Sequence, residues 1–416
     1  MDQSGIVFIG AGEAGVSAAA TLRTEGYDGP IIVLNDEPDS PYQRPPLSKE
    51  FILENQHQPA EIKSEAWFQE NDIDLRLGAR VLSVHADKKL LSYTDVGNSD
   101  PAIKIEYDKL LIATGARARM IDNLVSSKTH VLRTQLDASE RRSELNRATD
   151  ICVVGAGVIG LEVASTVRAL GKNVTVLDIA SRAMGRALAP ELSEFLVSAH
   201  TLRGVEIHMN ERDIIVEESA DKLQISSEKN AVAADLLLAG CGVQPNVELA
   251  KSIGCDVDNG IIVDADGATS IPDIYAAGDV ANFYHPFYGE HLRLEAWRHA
   301  INHAAHVARR MLDKPSEYAE LPWFWTDQLG MNIQVVGLAA QAERTVWRYD
   351  GDAKTAFHFA GDTLIAATTI DNGRVMTPLT RLIASRWSGD VDQLLDTSTP
   401  LAKTCKALIK QSQLVQ

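Results

Sequence analysis

Residues 6–26 read IVFIGAGEAGVSAAATLRTEG, and residues 151–171 read ICVVGAGVIGLEVASTVRALG. Aligned without a gap, they share 9 of 21 positions: Ile6/Ile151, Gly10/Gly155, Ala11/Ala156, Gly12/Gly157, Gly15/Gly160, Ala19/Ala164, Thr21/Thr166, Arg23/Arg168 and Gly26/Gly171. Each copy reads as a short apolar strand, a G-x-G-x-x-G turn and an alanine-rich helix. A second apolar strand follows each, ending in an acid: Asp36 in IIVLND and Asp178 in VTVLD. In this pattern Gly10 and Gly155 permit the tight turn, and Gly12 and Gly157 let backbone approach a pyrophosphate. Gly15 and Gly160 let helix and strand pack closely, and the helix N-terminus supplies partial positive charge. The acid accepts hydrogen bonds from a ribose hydroxyl. One such motif can be a glycine turn and nothing more; two, each with its acid, predict two bound dinucleotides.

The 416 residues suggest two or three domains at roughly 150 residues each. A hydrophobic content of 45% and a charged content of 23% are ordinary for a globular protein. No apolar run approaches the roughly 18 residues of a membrane helix. The opening MDQSG runs straight into a strand, with no visible signal or transit segment. Four scattered cysteines, Cys152, Cys241, Cys255 and Cys405, form no C-x-x-C pair. That pattern points to a reducing, cytoplasmic setting and away from a disulfide framework, a metal site or a dithiol relay. Forty basic against 57 acidic residues give a net charge of −17, which argues against nucleic acid and anionic membranes as partners.

Three further stretches are individually ambiguous. LLIATGARAR, with Ala113, Thr114 and Gly115, is a buried strand leaving through Thr-Gly. GVQPN runs from Gly242 to Asn246, and in IYAAGDVA Asp279 alone could be a turn or cap residue. In chain order, however, GxGxxG, ATG, GxGxxG, GxxPN and AxGD resemble the two-dinucleotide-binding flavoprotein family. The resemblance implies an α/β fold with two Rossmann-like domains of the glutathione reductase type plus a C-terminal α+β domain. It implies a discontinuous FAD domain at 1–113 and 243–320, an inserted NAD domain at 114–242, and a third domain at 321–416. Asp279 then holds the FAD ribityl chain.

The stretch after the first acid, DEPDSPYQRPPLSKE, contains no cysteine, so the thiol routes of the disulfide-reducing branches are closed. PYQRPPLSK instead resembles the oxygenase-coupled ferredoxin reductases, as do VLRTQLDA (131–138), RLEAW (293–297) and PWFWTDQ (322–328). A lysine in a first helical turn opposes the helix dipole by about 0.3–1 kcal/mol. Lys49 could be a solvated surface residue beside Glu50. The resemblance instead puts it next to the flavin, on a mount stiffened by Pro45 and Pro46, paired with Glu162. Trp297 could equally be a core aromatic; by resemblance it joins Lys49 and Glu162 as a catalytic group at the isoalloxazine.

Carried over position by position, the family pattern gives FAD to Gly10, Gly12, Ala14, Gly15, Asp36, Arg44 and Lys49. It adds Val81, Ala113, Thr114, Gly115, Arg133, Asp279, Glu295, Ala296 and Trp297. Gly155, Gly157, Val158, Ile159, Gly160, Asp178, Arg186 and Gly242 belong to the second, NADH-binding fold. A carboxylate at Asp178 accepts from a 2′-hydroxyl and repels a 2′-phosphate, favouring NADH, although Arg182 and Arg186 follow closely. The resemblance implies electron flow from NADH through FAD to a [2Fe–2S] ferredoxin feeding a Rieske-type or haem-thiolate oxygenase.

Residues 294–312 predict a helix whose apolar stripe is Trp297, Ile301, Ala304, Ala308, Met311 and Leu312. Arg293, Arg298, Arg309 and Arg310 make this stretch locally basic. They form either a solvated face or a dock for an acidic ferredoxin. Two alternatives stay open: a flavoprotein with another acceptor (rubredoxin, oxygen or quinone), and a redox-sensing interaction protein like apoptosis-inducing factor. Either a monomer or a homodimer fits.

Overall fold

The computed structural model describes residues 4–53, 59–97, 101–219 and 221–415. The chain folds as two compact units, one of residues 1–44, 59–117 and 243–320, the other of residues 45–58, 118–242 and 321–416. Of these, residues 45–53, which lie within the range the resemblance gives to the FAD domain, pack with the second unit. Ile52 explains this, because it is buried in the same apolar cluster as Ile151, Val163 and Val167. The stretch LSKEFILEN (47–55) reads from the sequence as a helix; its last residues, Glu54 and Asn55, lie outside the described residues.

The first unit is built on a parallel sheet in the order Ile274–Ala276, Lys109–Ile112, Ile6–Ile9, Ile31–Leu34, Ile73–Arg76. The second unit repeats it with Val205–Met209, Asn173–Asp178, Asp150–Val154, Leu236–Ala239 and Thr129–His130. The central strands are unbroken apolar runs because parallel strands are covered on both faces; Val7, Phe8, Val153 and Leu237 are all buried. Each sheet also carries a three-stranded antiparallel meander in its chain: 79–85, 90–95 and 103–106 in one, 215–218, 223–226 and 231–234 in the other. The internal repeat is thus much longer than its sequence identities.

Residues 323–370 form an antiparallel sheet in the order Trp323–Gln328, Met331–Gly337, Thr363–Ile370, Ala353–Ala360, Arg344–Asp350. Gly361-Asp362, which reads from the sequence as a hairpin turn between short strands, makes a two-residue turn with Gly361 at φ +56°. Helices Met376–Ala384 and Leu401–Val415 follow. Arg348, fully buried, uses all five N–H donors: two on Asp350 and three on the carbonyls of Leu394, Asp396 and Thr399. It ties the C-terminal segment to the sheet.

In the first unit, helix Glu13–Thr24 packs on helix Trp297–Met311, with Ala14, Ala18, Ala19 and Leu22 against Ala300, Ala304, Val307, Ala308 and Met311. Small side chains bring the two helices close. The buried face differs from the expected stripe: Trp297 and Ile301 are only half-buried, whereas His299, His303 and His306 are inside. Imidazoles read as polar in a sequence, but here they pack as aromatic rings. His299 and His303 stack at 4.8 Å, and Phe283 and Tyr318 surround them.

Burial pushes the pKa of His299 down to about 4 and that of His303 well below its ordinary value of 6.5. The folded chain thus binds fewer protons than the unfolded chain below pH 6.5. Stability is full above that pH and falls as pH drops toward 4, at up to about 1.4 kcal/mol per pH unit for each such histidine. Thermal melts of wild type and His303→Phe from pH 8 to pH 4.5 check this. The variant is expected to lose less Tm on acidification, and parallel curves would remove His303 from the acid response.

Candidate functional site

The two glycine turns can be examined atom by atom. At Gly10 (φ +109°) an added Cβ would lie 2.4 Å from the Ala113 carbonyl oxygen, and at Gly15 2.0 Å from that of Gly10. The second turn repeats this: 2.2 Å to Gly240 O at Gly155 (φ +113°), and 1.9 Å to Gly155 O at Gly160. Protein packing therefore accounts for the first and third glycines. It does not account for Gly12 or Gly157, whose added Cβ would meet nothing within 4 Å. Both are helix N-caps without a side-chain cap, so the first backbone N–H groups of each helix have no side-chain partner at the cap. That is a cradle suited to a pyrophosphate.

The two acids are not equivalent. The strands end in register, with Gly10 N donating to Leu34 O and Gly155 N to Leu177 O, both at 2.8 Å. The next residues are Asn35 and Asp178. Ala11 N donates to Asn35 Oδ1 at 3.2 Å; Ala156 N donates to Asp178 Oδ2 at 2.5 Å and Ala180 N to Oδ1 at 2.7 Å. Asn35 is thus the counterpart of Asp178. Asp36 stands one residue further on, its side chain 57% exposed and 3.7 Å from Arg80. Matching by acidity rather than register hides this.

Around the first turn, Tyr42 Oη and the Arg44 guanidinium each donate to Glu37 at 2.5 Å. Burial lowers the pKa of Arg44, but Tyr42, Glu37 and Asp279 outweigh it and hold the guanidinium charged. The Thr114 hydroxyl donates to Asn246 O at 2.8 Å, and Asn246 Nδ2 to Thr114 O at 2.9 Å, lacing ATG to GVQPN. Ala296 caps the helix that Trp297 opens, and Trp297 Nε1 donates to Glu13 Oε1 at 2.6 Å. Burial raises the pKa of Glu13, with the indole opposing. Arg293 donates to Asp279 O and pairs with Glu295. Val81 sits half-buried at a bulge in strand Ala79–His85, against the core of the same unit.

In the second unit, Val158 and Ile159 open the helix after Gly157, and Ile159 is exposed. Gly242 (φ +87°) lies beside Arg186, whose Nη2 is 3.8 Å from where a Cβ would sit. The Arg182 guanidinium is spent on the carbonyls of Leu188 and Gly185. Arg133, assigned to FAD with Lys49, lies with it in this unit, just before the capping box of Thr134 and Asp137.

Lys49 follows a 3-10 turn, Pro45–Ser48, and precedes the short helix Glu50–Leu53. Its ammonium is buried, 3.4 Å from Glu162 Oε1, 3.5 Å from Asp327 and 5.9 Å from the Trp325 ring centre. Glu162, 3% exposed, also accepts from Ser48 Oγ at 2.5 Å and Thr326 Oγ1 at 2.7 Å. Burial raises its pKa, and the Lys49, Ser48 and Thr326 donors work against that. Ser48 and Thr326 lie inside PYQRPPLSKE and PWFWTDQ, but nothing in the sequence says that a serine and a threonine 278 residues apart share one carboxylate. Burial pushes the Cys152 and Cys405 thiols up to about 12 and Cys241 to about 11, which makes them poor nucleophiles.

Residues 4–304 match the family described as pyridine nucleotide-disulphide oxidoreductase, and residues 323–405 match a reductase C-terminal family. The chain is 38% identical over 408 residues to the anthranilate 1,2-dioxygenase system ferredoxin–NAD(+) reductase component of Burkholderia cepacia (96% of this chain, 99% of that one). It is 33% identical to the rhodocoxin reductase of Rhodococcus erythropolis (95% and 93%). Among solved structures, the ferredoxin reductase for the CYP199A2 system from Rhodopseudomonas palustris superposes with a TM-score of 0.91 at 33% identity (97% of this chain, 100% of that one). Putidaredoxin reductase in its covalent complex with putidaredoxin does so with a TM-score of 0.91 at 30% identity (98% and 99%). The paired glycine turns, the inserted second sheet and the C-terminal antiparallel sheet are thus those of its relatives, and the chain belongs to the pyridine nucleotide-disulphide oxidoreductase family.

Proposed function

We propose that this chain is a ferredoxin–NAD(+) reductase, carrying electrons from NADH through FAD to a [2Fe–2S] ferredoxin that serves a Rieske-type or haem-thiolate oxygenase in the cytoplasm. The observation that carries the reading is the buried Lys49–Glu162 pair on a cysteine-free PPLSK segment, in a chain similar along its length to named ferredoxin reductases. When bound, FAD supplies the exchange between two-electron nicotinamide chemistry and one-electron iron–sulfur chemistry. The protein's part is binding, orientation and charge. Gly10–Gly15 with Arg44 and Asp279 take FAD; Gly155–Gly160 with Asp178 take NADH. Lys49 is a fixed cation against the negative charge that reduction adds to the flavin ring. Trp297, pinned by Glu13, supplies an aromatic wall.

NADH-driven reduction of cytochrome c, with and without a [2Fe–2S] ferredoxin, tests the reading. A large ferredoxin-dependent rise is expected. Flavin bleaching without that rise would move the acceptor to rubredoxin, oxygen or quinone.

Asp178 presents a carboxylate at the end of its strand, while Arg182 is committed to backbone. Asp178→Ala, with Asp178→Asn as the milder form, is expected to narrow the NADH/NADPH ratio of kcat/KM by about tenfold. An unchanged ratio would take Asp178 out of ribose recognition.

For the ferredoxin dock, the four arginines are less basic together than apart. Arg293, Arg298, Arg309 and Arg310 pair with Glu295, Glu320, Glu25 and Asp266. The Arg293 side chain is only 5% exposed, whereas Arg298 and Arg309 are 48% and 39% exposed and paired only at the surface, where such bonds are weak. Docking is therefore assigned to Arg298 and Arg309. Arg298→Glu/Arg309→Glu is expected to raise the ferredoxin KM severalfold at low salt, with the effect fading as screening shortens to about 8 Å near physiological ionic strength. A KM without salt dependence would place the dock elsewhere.

A further inference from the structure

Behind the Lys49–Glu162 pair runs a line of buried polar side chains. Thr326 Oγ1 lies 2.7 Å from Glu162 Oε1, Gln328 Nε2 lies 3.0 Å from Thr326 Oγ1, and Gln328 Oε1 lies 2.8 Å from His200 Nε2. Thr326, Gln328 and His200 are at most 2% exposed. The direction of each bond follows from the first. An ionised carboxylate only accepts, so the single Thr326 proton points at Glu162. Thr326 must then accept from the Gln328 amide N–H, which turns the amide oxygen toward His200. The imidazole must answer with Nε2–H, leaving Nδ1 as a buried bare nitrogen without a partner. All three donors face the same way and end on the carboxylate.

This polarity matters because burying a carboxylate favours its neutral form. A neutral Glu162 would leave Lys49 with an acid that no longer balances its charge. Removing a hydrogen bond to a buried charge disfavours the charged form, and Glu162, already pushed up by burial, would lose one of the three side chains that donate to it. We propose that Thr326, oriented through Gln328 by His200, is a positioning residue that keeps Glu162 ionised and Lys49 fixed for flavin reduction. The proposal rests on Lys49 acting at the flavin.

The test compares Thr326→Val, which keeps the shape and removes the hydroxyl, with Thr326→Ser, which keeps the hydroxyl, and with Lys49→Gln, all as FAD-loaded enzymes of confirmed Tm. Three readouts are taken: the flavin midpoint potential, the pH profile of the NADH-driven flavin reduction rate, and the infrared band of a protonated carboxylic acid. Thr326→Val is expected to shift the potential positive, since the anion that balances Lys49 is lost, and, with Lys49 no longer held in place, to slow reduction about tenfold at neutral pH. It should also bring a protonated-acid band that disappears in Thr326→Val/Glu162→Gln, while Thr326→Ser restores wild-type behaviour. If Lys49→Gln shifts the potential but Thr326→Val changes neither potential, pH profile nor band, the relay is overturned and the role of Lys49 stands. If Lys49→Gln leaves the potential unchanged, the flavin role of Lys49 fails and the proposal falls with it.

Discussion

Two contacts of about 2 Å organise this molecule. They are the approaches that would exist between a Cβ at Gly15 or Gly160 and the carbonyl of the glycine that opens each turn. With no room for a methyl group, the helix can start only where a strand has just ended, so its N-terminal amides collect at the C-terminal edge of the sheet. That edge is where ligands bind in open α/β sheets. Asp279, Thr114 and Gly242, also proposed for cofactor binding, follow the C-terminal ends of strands at the same edges.

The glycine turns were legible because their steric demand is local and leaves one residue type. So were the hairpin at Gly361–Asp362 and the short strands around it. What stayed hidden depends on long-range register or on unusual packing. Asn35, not Asp36, stands in register with Asp178 because strand pairing, not residue character, fixes which side chain reaches the alanine amide. His299, His303 and His306 turn inward because aromatic neighbours stack on them, and a hydrophobic scale ranks them with surface residues. The antiparallel meanders repeat in both halves although residues 79–106 and 215–234 share no visible pattern.

The charged groups show a similar division. Lys49 and Glu162 could be paired in advance only by resemblance, since 113 residues separate them. Of the hydroxyls that satisfy the carboxylate, Ser48 comes from the prolyl turn that carries Lys49 and Thr326 from a third segment, an edge strand. The arginines near residue 300 looked like an uncompensated basic face because two of the four, Arg309 and Arg310, find their acids far away in sequence, at Glu25 and Asp266. A charge run read along one helix counts only half of the field around it.

The mismatch between Asn35 and Asp178 also says what each pocket has to refuse. Both side chains do the same mechanical work, holding the amide of the alanine after the first glycine. An amide does so without charge, and FAD has no phosphorylated twin in need of exclusion. The nicotinamide cofactors come as such a pair, differing by one dianionic group on the ribose. Under the proposed assignment of Asp178 to ribose recognition, the carboxylate at 178 gives the second turn a repulsive function that the first does not need, at a position where both turns keep a hydrogen-bond acceptor.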